Sequence, residues 1–127
     1  ELLRRVDALA ALGVAREQIV LDPGLGFSKA PAENWALLRG AAVLSATGYP
    51  ILIGTSRKRF VRRLVEASLP PGSLAEGEEA SLADRDLATA VTSALAAQAG
   101  AWAVRVHDVR ATRIALDVEG AWTGYAR

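Results

Sequence analysis

The sequence of 127 residues contains no cysteine and no methionine. Without cysteine there is no disulfide, no zinc–thiolate site and no cysteine nucleophile, which fits a reducing cytoplasmic compartment. No apolar stretch approaches the roughly 18 residues that a membrane span requires, so we expect no membrane partner. The net charge of +1 gives no overall attraction to nucleic acid. Any electrostatic function must therefore be local.

What the chain does contain is typical of a globular protein, with 51% hydrophobic and 23% charged residues. No linker divides it, so residues 1–127 are predicted to form a single segment of one domain. The chain has no initiator methionine, and an amphipathic pattern is already under way at Glu1. We therefore expect it to be a fragment of a longer protein.

The apolar pattern alternates between strands and helices. Short continuous apolar runs followed by Gly- or Asp-containing loops predict three strands, and helical periodicity predicts the helices between them. The predicted strands are 19–22, 50–54 and 101–106, and the predicted helices are 2–12, 32–45, 60–65, 81–98 and 110–119. This order indicates an α/β fold with a parallel sheet covered on both faces. Three units are too few for a closed barrel but suit the C-terminal half of a (β/α)₈ barrel of about 250 residues.

Polar residues follow each predicted strand directly. The first group is DPGLGFSK, residues 22–29, where glycines allow close backbone approach and the Asp22 carboxylate can accept two hydrogen bonds. It is neither a dinucleotide fingerprint nor a P-loop, because the third glycine and the Gly-Lys-Ser order are missing. An Asp-Pro-Gly turn can equally be a purely structural element.

The second group is GTSRKRF, residues 54–60, which brings Arg57, Lys58 and Arg59 together after a strand. A run of cations is often a solvated surface, and this one could extend through residues 61–63 into a basic patch. The tight turn before it favours an anion site instead. The acidic stretch 76–79 and the low aromatic content argue against nucleic-acid binding.

The third group is RVHD, residues 105–108. Arg105 and His107 alternate along a strand end and are therefore expected on the same face, where both can donate to phosphate oxygens. A lone histidine can also be incidental. Because all three groups follow parallel strands, they are predicted to meet at the carboxyl edge of one sheet.

Together the three motifs, in this order and at this spacing, resemble the dihydropteroate synthases, the sulfonamide-sensitive enzymes of folate biosynthesis. The resemblance spans essentially the whole chain. It implies a TIM barrel of which residues 1–127 supply strands six to eight and their helices. It also implies a transferase that condenses 6-hydroxymethyl-7,8-dihydropterin pyrophosphate with para-aminobenzoate, giving dihydropteroate and pyrophosphate.

The resemblance also implies roles for individual residues. Asp22 would bind the amino-pyrimidine edge of the pterin, and Phe27 would border the aminobenzoate site. Lys58 would contact the pterin ring near the reacting methylene, and Arg105 and His107 would hold the leaving pyrophosphate. Lys58, Arg105 and His107 are thus the predicted catalytic residues. Family members vary between serine and arginine at the position of Arg59, so no contact is assigned to it.

Cofactor and assembly are likewise expectations from the resemblance. Mg²⁺ would be bound through the substrate pyrophosphate and by residues outside this chain, with no metal ligand within it. The chain alone should be inactive, and the whole enzyme should be a homodimer that uses the small-residue helix 87–100 as a flat surface. Two alternatives stay open: a methyltetrahydrofolate–corrinoid methyltransferase-like barrel, and a non-catalytic anion-binding half-barrel.

Overall fold

A computed structural model describes residues 1–125 of the chain. Within this range six α-helices alternate with two short strands and one 3₁₀ turn at Arg16–Gln18. The helices are α1 (Leu2–Ala11), α2 (Pro31–Arg39), α3 (Ala41–Ser45), α4 (Arg59–Ser68), α5 (Leu82–Gln98) and α6 (Val109–Thr123), and the strands are β1 (Leu52–Ile53) and β2 (Ala103–Val104).

The three predicted strands lie side by side and parallel, in chain order, but their ladders are shorter than predicted. β1 pairs with β2 through Leu52–Ala103 and Ile53–Val104. The run 19–22 forms only a single parallel bridge, Leu21 to Ile51, so a full strand there was a wrong prediction. Within the described residues the outer sides of Leu21 and β2 have no strand partner, which limits the ladders to the central positions.

Two helix predictions need correction. The predicted helix 32–45 is two helices, because the chain turns at Gly40 (φ −87°, ψ 7°) between α2 and α3. Val43 lies on the outer side of α3 with 74% of its surface exposed, although the helical periodicity of 32–45 would place it on the core side. The helices α4 and α6 extend beyond their predicted ends, whereas α5 begins one residue later than predicted, because Ser81 is its N-cap and the hydroxyl of Ser81 accepts the N–H of Asp84.

The core lies between the sheet and the inner faces of the helices. Its largest members belong to the strand region and to α4, and Trp35 packs edge-on against Phe60 with ring centres 5.0 Å apart. The buried set is Val6, Ile19, Leu21, Leu25, Ile51, Ile53, Phe60, Val61 and Ala96. β1 is better covered than β2, whose residues are both half-buried. The expectation that every strand is covered on both faces therefore fails for β2, which is the outermost strand of the described chain.

No helix among the described residues is long and apolar enough to cross a bilayer.

Candidate functional site

The polar residues that follow β1 and β2 line one cleft at the carboxyl edge of the sheet, whereas Asp22 and Phe27 of the first motif line a separate one. The cleft has a volume of about 230 Å³. Its lining consists of Gly54, Ser56, Lys58, Arg105, Val106 and His107. The parallel pairing of β1 with β2 brings the second and third sequence motifs together here, since parallel strands end at the same edge.

Asp22 joins the cleft through Arg105. One oxygen of Asp22, Oδ1, accepts the backbone N–H of Gly24 at 2.8 Å and so fixes the Asp-Pro-Gly turn. The other oxygen, Oδ2, lies 3.8 Å from Nη2 of Arg105. Both side chains are partly exposed, at 37% and 59%, so this pair is accessible to a ligand and weakened by water. Asp22 thus has a structural oxygen and an available one.

Lys58 lies against the glycine loop of the first motif. Its Nζ sits 3.9 Å from the centre of the Phe27 ring, in cation–π contact. A Cβ on Gly26 would come within 2.8 Å of Cδ of Lys58, so glycine is required for this close approach. Burial lowers the pKa of Lys58, and Arg105 lowers it further, while Asp22 acts in the opposite sense. The ammonium of Lys58 therefore contacts the Phe27 ring and feels the opposing charges of the Arg105 guanidinium and the Asp22 carboxylate.

The glycine loop itself is held by Asn34, a residue that the sequence analysis did not single out. Asn34 is buried in α2, and its Oδ1 accepts the backbone N–H of Gly26 at 2.6 Å. Its Nδ2 donates to the carbonyl of Ala30 at 2.9 Å. A polar residue on the inner side of an amphipathic helix, following a Gly-rich loop, is the signal that could have identified it.

Arg105 and His107 occupy the other side of the cleft. The guanidinium of Arg105 lies over Gly54, where a Cβ would be 3.1 Å from Nη2. His107 Nδ1 is 2.8 Å from Oγ of Ser56, and that same oxygen accepts the backbone N–H of His107 at 3.1 Å. A neutral His107 that accepts the Ser56 proton at Nδ1 carries its own proton on Nε2, where it can be donated to an anion. Asp108, by contrast, caps α6 through the N–H of Ala111 at 2.9 Å.

Of the turn before Lys58, Ser56 lines the cleft, whereas Thr55 and Arg57 bond α5 instead. Thr55 shares a 2.7 Å hydrogen bond with Thr92 of α5. Arg57 forms two hydrogen bonds to Asp86, at 3.0 and 2.8 Å. The expectation that Arg57, Lys58 and Arg59 reach one spot is therefore wrong. The guanidinium of Arg57 is bound by the carboxylate of Asp86 instead. The backbone of Arg57 lies in the left-handed region (φ 57°), which turns its side chain towards α5.

Arg59 is exposed at the first position of α4, so only Lys58 of the three cations lines the cleft. Asp86 was missed by the sequence analysis. The sequence pattern that could have identified Asp86 is its position on the buried side of a helix. It shares this side, at helical spacing, with Thr89, Ala90, Ser93 and Ala96.

These contacts define an α/β ligand site with a carboxylate, an aromatic ring and three cationic or proton-donating side chains at one sheet edge. Residues 1–107 match the sequence family described as pterin binding enzyme, and the chain belongs to this family. It is 52% identical over 122 residues to the dihydropteroate synthase of Mycobacterium leprae, covering 96% of this chain and 40% of that protein.

Solved structures agree with the family. Dihydropteroate synthase from Xanthomonas albilineans, in complex with 7,8-dihydropteroate, superposes with a TM-score of 0.81 at 36% identity, over 96% of this chain and 43% of that one. The enzyme from the same organism with 4-aminobenzoic acid gives a TM-score of 0.76 at 34% identity, over 97% and 41% of the two chains. The chain thus spans about two fifths of the proteins that it matches.

Proposed function

We propose that the chain is the C-terminal part of a dihydropteroate synthase and contributes strands six to eight of its barrel. The whole enzyme would join para-aminobenzoate to 6-hydroxymethyl-7,8-dihydropterin pyrophosphate and release pyrophosphate. The observation that carries this proposal is the convergence of Lys58, Arg105 and His107 in one cleft, with Asp22 3.8 Å from Arg105. The Xanthomonas albilineans enzyme, which is similar to this chain, has been solved with 7,8-dihydropteroate and with 4-aminobenzoic acid.

Asp22 and Lys58 suit recognition of the pterin ring. Oδ2 of Asp22 is not used by the loop and can accept N–H groups from an amino-pyrimidine edge. The Nζ of Lys58 lies 3.9 Å from the centre of the Phe27 ring. A planar ligand that reaches Lys58 therefore also contacts the aromatic ring. Arg105 lies between the proposed pterin-binding and pyrophosphate-binding residues. Its guanidinium is 3.8 Å from Asp22, and its side chain lines the same cleft as His107.

Arg105 and His107 suit the leaving group. In the proposed reaction the bond between the pterin methylene carbon and the pyrophosphate oxygen breaks, and pyrophosphate leaves with the electron pair. The amine nitrogen of para-aminobenzoate bonds to the methylene and then loses a proton to solvent. Negative charge grows on the departing oxygen, and a guanidinium and an Nε2–H already in position stabilise it without reorganisation. No strong general base is required.

Magnesium remains a prediction. Bound to the pyrophosphate, Mg²⁺ would neutralise part of its charge. Among residues 1–125 there is no group of three or more His, Asp or Glu side chains arranged to hold a metal ion. The chemistry assigned above is carried by Arg105, His107 and Lys58.

The methyltransferase alternative shares pterin recognition but transfers a methyl group and has no pyrophosphate to bind. The paired Arg105 and His107, with His107 oriented by Ser56, favour the synthase.

A homodimer is also proposed. It is supported by exposed apolar stripes at helical spacing on α5 (Leu87, Val91, Leu95) and α6 (Ile114, Val118, Trp122). The lack of cysteine is consistent with a cytoplasmic enzyme.

The test uses a chimeric synthase in which residues 1–127 replace the matching segment of the Mycobacterium leprae relative. We expect the chimera to form dihydropteroate from both substrates. Asp22→Asn should weaken pterin binding by about 1–3 kcal/mol, because one acceptor becomes a donor facing the N–H edge of the ligand.

Asp117→Asn, in an exposed ion pair with Arg113 on α6, serves as the matched control and should leave affinity unchanged. A well-folded chimera that binds pterin but produces no dihydropteroate would contradict the proposal. Unchanged pterin affinity in Asp22→Asn would remove Asp22 from the site.

A further inference from the structure

Lys58 lies at the end of a turn whose three preceding side chains are all hydrogen-bonded to other parts of the chain. It directly precedes α4 and acts as the cap residue of that helix. Of the residues before it, Thr55 bonds α5 through Thr92, Ser56 bonds His107 and Arg57 bonds Asp86. Lys58 lines the cleft together with Ser56, and it is the one charged side chain of the turn that does so.

The Arg57–Asp86 contact has features that exceed what a surface turn requires. Both guanidinium nitrogens Nε and Nη2 bond separate oxygens of the carboxylate, a paired geometry that fixes direction as well as distance. Asp86 is 7% exposed, on the inner side of α5. Burying a carboxylate is costly unless it is paired, so Asp86 depends on Arg57 as much as Arg57 depends on Asp86.

The backbone of Arg57 is also strained. Its φ of 57° lies in the left-handed region, which non-glycine residues seldom adopt. Such a conformation persists only where surrounding contacts hold it, and it is concentrated at functional sites. Here the strained residue immediately precedes Lys58, and rotation of its backbone to the ordinary region would redirect Lys58.

We propose that Arg57 and Asp86 form a positioning pair that holds Lys58 in the cleft, a role that rests on the proposed function of Lys58. Neither side chain belongs to the lining of the cleft, but Asp86 interacts electrostatically with His107, so the test must separate an effect through Lys58 from one through His107. The pair acts through the turn, by keeping the ammonium of Lys58 beside Phe27 and within reach of the pterin.

The first test is a double-mutant cycle in the chimeric synthase. Asp86→Asn should lower kcat/KM about 10- to 100-fold, the scale expected when a reacting group is misplaced by about an ångström. In a Lys58→Ala background the same change should add almost nothing, since there is no longer an ammonium to position. Arg57→Lys should resemble Asp86→Asn, because an ammonium cannot make the paired contact.

A matched control separates positioning from general weakening of α5. Ala94→Gly lies in the interior of the same helix and should cost about 1 kcal/mol of stability without removing any side-chain hydrogen bond. It is expected to lower the melting temperature but not kcat/KM at 25 °C. Asp117→Asn should change neither quantity.

The second test needs no substrate. In the ¹³Cε-lysine-labelled chimeric synthase, the Lys58 signal is identified by its loss in Lys58→Ala, and the other lysine signals serve as references. The pKa of Lys58 is lowered in the wild type by burial and by Arg105. In Asp86→Asn the Lys58 side chain, no longer held by the turn, should be better solvated, and its pKa should rise towards the usual value.

The outcomes distinguish this inference from the proposed function. A chimera that makes no dihydropteroate overturns the function, and the Lys58 titration still decides on the pair. An active chimera in which Asp86→Asn keeps its kcat/KM, or loses as much in the Lys58→Ala background as in the wild type, overturns the positioning role. An unchanged Lys58 titration in Asp86→Asn also overturns it.

Discussion

Arg105 is the residue at which ring recognition and leaving-group binding can be separated. Its guanidinium lies over Gly54 in the cleft and 3.8 Å from the carboxylate of Asp22. In the chimeric synthase, Arg105→Ala removes a cation from the proposed pyrophosphate site but no group proposed to touch the pterin ring. We therefore expect it to weaken binding of the pterin pyrophosphate and to spare the bare hydroxymethyl pterin.

The size of the effect follows from the exposure of the side chain. A lost charge-assisted, paired contact costs about 2–4 kcal/mol in the transition state. Because 59% of the Arg105 side chain is exposed, screening by water favours the lower half of this range. A loss of about 2–3 kcal/mol corresponds to a fall of roughly 30- to 160-fold in kcat/KM, which is measured alongside the binding titrations.

The secondary effects of Arg105→Ala have known directions. Without Arg105, Asp22 has no ion pair to break when it binds a pterin. Affinity for the bare pterin should therefore stay level or rise slightly. Lys58 loses a cation that lowers its pKa, so it becomes more firmly protonated. Neither change weakens ring binding.

The assay is calorimetric titration of each variant with three ligands: the pterin pyrophosphate, the bare hydroxymethyl pterin and pyrophosphate. Lys58→Ala should weaken binding of both pterins, because its proposed contact is to the ring. Arg113→Ala removes an exposed cation of α6 and serves as the charge-matched control. Equal losses for the two pterins in Arg105→Ala, with pyrophosphate binding intact, would refute the assignment of the RVHD segment as the anion site.

Three further predictions follow from the fold and the site. Residues 1–127 alone should form no dihydropteroate, since the sheet edges at Leu21 and β2 lack partners in the described chain, and turnover by the purified chain with both substrates and Mg²⁺ would contradict this. Gly26→Ala and Gly13→Ala should each cost about 1–2 kcal/mol in unfolding free energy, because both glycines have positive φ. Only Gly26→Ala, whose new Cβ meets Lys58 at 2.8 Å while Gly13 has open space, should also reduce pterin affinity. Arg57 holds the pKa of Asp86 below its usual 3.8, so the unfolded chain takes up this proton more readily than the folded one. The stability from this group is complete above that value and is lost as the pH falls through the lower folded pKa; urea unfolding at several pH values should show this loss in the wild type and not in Asp86→Asn.

Helices and strand order were largely predictable from the sequence. The long helix α5 was predicted because the signals are local, an alanine-rich run and a closing glycine, but the prediction included Ser81 in the helix, whereas Ser81 is its N-cap. The break at Gly40 and the exposure of Val43 were not, because the periodic pattern continues across both. Strand lengths also went unpredicted, since pairing depends on neighbours far away in the chain.

The candidate site divides in the same way. Asp22, Lys58, Arg105 and His107 were identified in advance because they lie at the ends of predicted parallel strands, which meet at one edge, and Phe27 was identified from the resemblance. The structure brings them within contact or near-contact of one another. Their roles in catalysis stay predictions, which the variants above address.

The sequence by itself determined which residue types stand at the strand ends, because strands, loops and caps are written in short-range patterns. Only the tertiary structure decided what each cation does. In the sequence Arg57 and Lys58 are adjacent and alike, but a left-handed backbone at Arg57 turns it towards Asp86 and leaves Lys58 beside Phe27. That choice depends on a carboxylate 29 positions away on another helix, and such a partner is chosen by packing.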